Sequence, residues 1–229
     1  MSIVYMTREI TPESLVRIYR ALGVSLPGSA AVKISTGEPG GRNFLQPELI
    51  RNLVQELKGT IVECNTAYEG RRNTSKAHWE TMQDHGFTAI APCDILDEEG
   101  HMPLPVTGGH HLTENYVGEH FSDYDYYVIL SHFKGHAMAG FGGAIKNISI
   151  GLASAEGKNH IHTAGKGGSM WSASQDPFLE SMAEAAGAVI DYMGEENMLY
   201  ISVMNNLSVD CECDSNPAKP DMHDIGILA

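Results

Sequence analysis

Short runs of β-branched and aromatic residues alternate with longer amphipathic stretches, and this order constrains the fold more than any other feature of the chain. The short runs predict strands at 3–7, 30–36, 60–65, 88–92, 126–133 and 198–204. Helical patterns separate them at 11–23, 47–59, 74–86 and 176–194. Strands that alternate with helices favour an α/β fold, with a mainly parallel sheet and flanking helices in layers.

The local sequence also indicates where elements begin and end. Thr11 is placed to cap the first helix, Pro12 occupies its first position and Gly23 ends it. The stretch 97–123 has no clear period and predicts either a hairpin or a long functional loop. The last residues, 222–229, have the pattern of a buried strand. We therefore expect a single α/β domain over 1–229 that is a shortened form of a longer pattern, or whose edge a second copy of the chain completes.

Charge and composition narrow the classes of function. The chain has 29 acidic and 15 basic residues, a net charge of −14, which disfavours nucleic acid and anionic membranes as partners. A site for a phosphate would have to be local. The sequence contains neither a signal peptide nor an apolar run of about 20 residues, so no membrane span is expected. Four cysteines in 229 residues do not make a disulfide scaffold, and we expect a cytoplasmic protein with free or metal-bound thiols.

The segment that follows the strand at 126–133 has the strongest pattern of a ligand site. His132 and His136 lie where this strand ends, and ligands of open α/β sheets gather at the carboxyl ends of strands. Neutral imidazoles can bind a transition metal or move protons, and Lys146 could pair with a phosphate or act as a nucleophile. The backbone can approach a bulky ligand closely at three glycines: Gly140, Gly142 and Gly143. The alternative is a helix packed on the sheet through its glycines, with both histidines satisfied by the protein.

Two further pairs of residues are candidate metal ligands. His160 and His162 form an H-x-H pair, which on an extended segment would place both imidazoles on one side. Cys211 and Cys213 have the same spacing after an apolar strand, and thiolates bind zinc, iron or an iron–sulfur cluster. The alternatives are a polar surface loop for the histidines and small buried apolar residues for the cysteines.

Two cations adjoin glycine-rich or helix-starting segments and are candidate contacts for a small anionic ligand or substrate. Lys33 lies on a predicted strand that leads into a loop with three glycines, and Arg72 lies just before a predicted helix. Their spacing matches no phosphate-binding P-loop. Solvated charges and a tight turn explain the same residues.

Three stretches resemble the family called domain of unknown function 362: "AVKISTGEPGGRNFLQPELIRNLV", "HFKGHAMAGFGGAIKNISIGLAS" and "VDCECDSNPAKPDMHDIGILA". The resemblance covers most of the chain. It implies an association with iron–sulfur clusters, and many members carry a ferredoxin-type segment. This chain has no C-x-x-C-x-x-C run, so that segment is missing here.

More distantly, "HAMAGFGGAIK" is similar to a segment of the lactate racemase family. That resemblance implies His136 as an acid or base, Lys146 as the anchor of a nickel-pincer nucleotide and His162 as a metal ligand. His110 could correspond to the second catalytic histidine of that family. The phosphate motif Asp-x-Thr-Arg-Pro of that family is absent, with "RRNTSK" as a loose substitute.

Three hypotheses follow from these patterns. The first is a metal- or iron–sulfur-binding protein with a redox role. The second is a racemase- or isomerase-like enzyme that acts on a small organic acid with a lysine-anchored metal cofactor. The third is a module that binds a small anion without catalysis. The sequence alone leaves open whether the protein is an enzyme.

Overall fold

The computed structural model describes residues 3–210, 219–220 and 222–229. Its eleven strands are β1 (Met6–Thr7), β2 (Ala30–Lys33), β3 (Thr60–Glu63), β4 (Cys93–Ile95), β5 (His101–Pro105), β6 (Glu114–Gly118), β7 (Tyr126–His132), β8 (Lys134–His136), β9 (Gly140–Gly142), β10 (Met198–Met204) and β11 (Gly226–Leu228). Its six α-helices are α1 (Pro12–Ala21), α2 (Pro47–Leu57), α3 (Ser75–Asp84), α4 (Ala144–Ser149), α5 (Ala155–His162) and α6 (Gln175–Met193).

A seven-stranded sheet in the order β1-β11-β10-β7-β2-β3-β4 forms the centre. The strands from β10 to β4 in this order run parallel, and β11 is antiparallel to both of its neighbours. The predicted α/β class with a mainly parallel sheet is therefore confirmed. The buried strand expected at the C-terminal end is β11, which has Ile227 fully buried.

Alternation along the central strands builds a core on each face of the sheet. Val32 and Val128 point to the face covered by α1 and α2, where they join a buried cluster with Leu15. Ala31 and Ile129 point to the opposite face, which α4 and α6 cover. Because successive side chains of a strand alternate, Lys33 lies on the same face as Ala31. This places its amine below α4, at the carboxyl end of β2.

Four helices lie close to where the sequence pattern predicted them. Thr11 caps α1, where its hydroxyl accepts a hydrogen bond from the Ser14 amide, and Pro12 is the first helical residue. The helices predicted at 47–59, 74–86 and 176–194 are α2, α3 and α6. None of the helices in the described part of the chain is both long and apolar enough to cross a membrane.

Two predictions of local structure are wrong. The run 88–92 is not a strand, because Phe87–Ala89 forms a 3-10 turn and β4 begins only after Pro92. The segment with His160 and His162 is not extended but forms α5, in which Ser154 caps the Gly157 amide. On a helix, positions two apart point in different directions, so these two imidazoles do not share one side.

The remaining segments form two hairpins. The stretch 97–123 contains the antiparallel pair β5–β6, one of the two forms expected. The glycine-rich segment forms a second hairpin, β8–β9, in which His136 is opposite Gly140. The short helix α4 follows at once and carries Lys146 in its first turn.

Candidate functional site

A cavity of about 370 Å³ opens at the carboxyl ends of the central strands. Strands β2, β3 and β7 supply its floor, and α4, α5 and the β8–β9 hairpin supply its walls. The cavity brings together most of the residues that the sequence singled out: Lys33, Arg72, His132, His136, Gly142, Gly143, Lys146 and His162. It follows the rule that open α/β sheets hold ligands at this edge.

The lining of the cavity carries an excess of basic side chains. Of the chain's 15 lysines and arginines, five line it, together with two acidic residues, Glu63 and Asp210. The basic ones are Lys33, Arg72, Lys134, Lys146 and Lys158. The chain as a whole has a net charge of −14, so this concentration of positive charge is local.

Lys33 anchors the floor of the cavity. It is fully buried, and its amine donates to the Ile34 carbonyl at 2.5 Å, to Glu63 Oε1 at 2.8 Å and to Asn147 Oδ1 at 3.1 Å. All three of its N–H groups are therefore used within the protein. Burial opposes ionisation of Glu63, but Lys33 and Arg72 outweigh it and lower the pKa of Glu63 to about 2.

Arg72 is held from the other side of the floor. It is buried, and it donates to Glu38 Oε1 from Nε at 3.0 Å and from Nη2 at 2.5 Å. Its Nη1 lies 3.5 Å from Glu63 Oε2. Burial alone would lower the pKa of Arg72, but the surrounding acidic groups raise it, so the guanidinium stays charged. Arg72 and Lys33 thus form one buried ionic network through Glu63.

Two lysines in the walls, Lys146 and Lys158, have fewer hydrogen-bond and ion-pair partners than Lys33 and Arg72. Within the described residues, the Lys146 amine has neither a hydrogen bond nor an ion pair, although its neighbour Asn147 is tied to Lys33 and Ser131. Lys158 is 7% exposed, and its amine donates to the Ala153 carbonyl at 2.6 Å without a carboxylate within ion-pair distance in the described chain. Burial lowers the pKa of Lys158.

Two buried histidines of the cavity are held as neutral rings. His132 ends β7 and donates from Nε2 to the Asn205 carbonyl at 2.6 Å. His162 donates from Nδ1 to the Lys158 carbonyl at 2.7 Å and stacks on Phe178. Burial lowers the pKa of each imidazole to about 4. The neutral ring of His162 therefore keeps an unprotonated Nε2, the form in which histidine binds metals.

His136 has the opposite tautomer. Its Nδ1 accepts hydrogen bonds from the amides of Met138 and Ala139 at 3.2 and 3.0 Å. An acceptor at Nδ1 leaves the proton of the neutral ring on Nε2. In this arrangement His136 is a hydrogen-bond donor through Nε2 at the cavity wall.

The other predicted site residues lie elsewhere. Gly140 is exposed and outside the cavity, where its positive φ of 74° serves the turn between β8 and β9. His160 is also outside it, with its ring 5.0 Å from that of Tyr116. Cys211 and Cys213 lie outside the described residues. Asp210, the residue before them, lines the cavity. Within the described ranges, no three His, Cys, Asp or Glu side chains are grouped so that they could hold a metal ion.

Sequence analysis missed several residues of this cavity. Lys134 and Lys158 lie on elements that the sequence did not predict, namely β8 and α5. Trp171 belongs to the loop before α6 and stands at the cavity although it is 64% exposed. Only the position of Trp171 in a glycine-rich loop could have drawn attention to it.

These features define an open α/β protein with a cavity rich in basic residues at the carboxyl ends of its parallel strands. The sequence profile of the family described as "Domain of unknown function" 362 matches residues 30–229. The chain belongs to this family. No protein with a curated description matches the sequence.

Comparison with solved structures finds two similar proteins. The crystal structure of a protein from Thermotoga maritima matches this chain with a TM-score of 0.52 and 15% sequence identity. The match covers 96% of this chain and 53% of the Thermotoga protein. The lactate racemase apoprotein from Thermoanaerobacterium thermosaccharolyticum matches it with a TM-score of 0.49 and also 15% sequence identity. That match covers 86% of this chain and 49% of the racemase chain. The chain therefore spans about half the length of these two proteins.

Proposed function

We propose that the protein binds a small organic anion, a substrate or a cofactor, in the cavity at the carboxyl ends of β2, β3 and β7. The observation that carries this proposal is the state of Lys146 and Lys158. Both residues line the cavity, and neither amine has a carboxylate partner in the described part of the chain. A buried or half-buried ammonium without a counter-ion is costly, and a bound anion would remove this cost.

The surrounding groups fit the same ligand. His136 offers an N–H at Nε2. The charges of Lys33 and Arg72 below the floor are balanced by Glu63 and Glu38, so the positive charge that would attract an anion comes from the lysines in the walls of the cavity. A cavity of about 370 Å³ suits a small molecule rather than a macromolecule.

Calorimetric titration with inorganic phosphate and with acetate tests this proposal. Because a hydrogen bond to a charged group contributes about 1.5–3 kcal/mol, Lys146→Ala and Lys158→Ala should each weaken binding at least tenfold. Lys76→Ala, at an exposed lysine of α3 outside the cavity, is the matched control and should leave the affinity unchanged. Absence of binding by the unmodified protein, or equal losses in all three variants, would refute the proposal.

A second candidate is an isomerase-like enzyme with a lysine-anchored metal cofactor, and the state of His162 favours it. Its Nδ1 is engaged by a backbone carbonyl and its Nε2 carries the lone pair, as in metal-ligating histidines. In such an enzyme His162 would ligate the metal and Lys146 would form the covalent link. The bound group would supply a site that accepts and returns a hydride, while His136 would hold or donate a proton at Nε2.

The mass of the intact protein, purified from its native host, tests this candidate. We expect an added mass on Lys146 and its loss in the Lys146→Ala variant. An unmodified Lys146, in protein that still binds simple anions, would leave the first proposal and remove the second.

An iron–sulfur or other metal site at Cys211 and Cys213 remains a separate proposal. Its support is the sequence pattern and the position of Asp210, the preceding residue, in the cavity lining. Anaerobic purification followed by metal analysis and absorption spectroscopy tests it. Iron and a visible charge-transfer band should be present in the unmodified protein and absent from the double Cys→Ser variant.

A further inference from the structure

Trp171 lies beside the cavity and is largely exposed to solvent, so its ring is not part of a hydrophobic core. The side chain lines the cavity, yet 64% of it remains open to solvent. The other tryptophan of the chain, Trp79, is half-buried against the core, and its indole donates to Glu98 at 2.9 Å. Large aromatic side chains that stay exposed beside a concave site are typical ligand contacts.

The lining of the cavity also includes apolar side chains. Met138, Ile150 and Met170 line the same cavity as Trp171. Ile150 belongs to a hydrophobic cluster under α6, and Met138 packs against that cluster. The cavity therefore combines basic groups, which attract an anion, with thioether, aliphatic and aromatic groups, which a simple inorganic anion would not use.

The loop that carries Trp171 is held by hydrogen bonds within itself and has open space around two of its glycines. Thr163 holds the start of the loop, since its hydroxyl accepts from the Gly167 amide at 3.2 Å. Gly167 and Gly168 have φ values of 70° and 95°, and no atom lies within 4 Å of where a Cβ would be. In the described chain, the Trp171 amide donates to the Ser169 hydroxyl of the same loop at 3.4 Å, so the hydrogen bond of this amide stays within the loop.

We propose that the ligand carries a flat aromatic ring besides its anionic group, and that Trp171 stacks on this ring. This inference rests on the proposed anion site, because the anionic group has to be held by the lysines. It adds the class of ligand, an aryl carboxylate or aryl phosphate. A planar ring stacks on an indole through its face, so the ring needs only to approach the exposed indole from the solvent side.

Two ligand pairs isolate the contribution of the ring. Phenyl phosphate is compared with inorganic phosphate, and benzoate with acetate, by calorimetry and by tryptophan emission. The emission is measured in the Trp79→Phe variant, in which Trp171 is the only fluorophore of its kind. The Trp171→Phe variant, which keeps only Trp79, is the matched control, and its emission should not respond to any of the four ligands.

We expect the aryl member of at least one pair to bind about tenfold more tightly than its ring-free partner, and to change the emission of Trp171. Trp171→Ala should abolish this preference while it leaves the affinity for the ring-free anion within about twofold. Trp171→Phe should keep most of the preference. If the ring-free anions bind but the aryl anions bind no better, or if Trp171→Ala leaves the preference intact, the inference is wrong and the anion site stands. If no anion binds at all, both fail.

Discussion

The Glu63→Gln substitution tests how much the buried ionic network below the cavity contributes to the free energy of unfolding. Glu63 is 4% exposed and accepts from Lys33 Nζ at 2.8 Å and from the Thr36 amide at 2.8 Å. The substitution keeps the shape of the side chain but leaves Lys33 without a carboxylate. A pKa that falls from 4.5 to about 2 in the folded protein corresponds to about 3 kcal/mol of stability. The loss of one partner of a buried pair typically costs about 3–5 kcal/mol, in agreement with this value.

The dependence on pH has a definite sign. The folded state lowers the pKa of Glu63, so its contribution is fully present above the pKa of the unfolded chain, near 4.5, and is lost as the pH falls towards about 2. Urea denaturation at pH 7 should therefore show a deficit of about 3 kcal/mol in the variant, and at pH 3 the deficit should be clearly smaller.

Glu56→Gln is the matched control, because Glu56 pairs with Arg20 on the exposed surface. Exposed ion pairs contribute little, and this variant should unfold almost like the unmodified protein at both pH values. A deficit of less than about 1 kcal/mol for Glu63→Gln at pH 7, or a deficit that does not shrink at pH 3, would contradict the reasoning.

Three further predictions concern packing, ionisation and the cavity wall. Gly187→Ala, inside α6 with open space around the new methyl group, should stabilise the protein by about 0.5–1 kcal/mol in thermal or urea unfolding. Gly135→Ala should destabilise it by about 1–3 kcal/mol, since the methyl group would lie 2.2 Å from the Val209 carbonyl oxygen, and equal stability of the two alanine variants would contradict this contrast. The folded state lowers the pKa of His162 to about 4, so this residue should reduce stability progressively as the pH falls from about 6.5 to 4. His162→Asn should flatten that part of the pH profile, and an unchanged slope would show that the ring is not held neutral.

The fold could be predicted well where the structure of a segment depends on residues close to it in the sequence. α1 was located because Thr11 and Pro12 are a cap and a first residue, and these preferences act within one turn of the chain. β10 was predicted at its observed bounds, Met198–Met204, because a run of β-branched and aromatic residues lies between a glycine-containing turn and a polar loop. The β8–β9 hairpin in the glycine-rich segment was not predicted, although the helix expected there is α4, which begins directly after Gly143.

The site could be predicted only in outline. His132 at the end of β7 and Lys146 on the following helix were placed correctly at the sheet edge, because the end of a strand is visible in the sequence. The pairing of Lys33 with Glu63 depends on which strands are neighbours and which faces they share, and no local pattern encodes this. Lys158 was missed for a related reason: "AEGKNHIH" has no apolar period, and its helix depends on the cap by Ser154.

The contrast between the acidic chain and its basic cavity has a consequence for kinetics. An anion that approaches from a distance meets the repulsion of a net charge of −14 before it senses the five basic side chains in the cavity. Dissolved salt screens interactions beyond about 10 Å much more than those at contact distance. Moderate ionic strength should therefore accelerate the entry of an anion, whereas salt slows association when a protein attracts its ligand from afar.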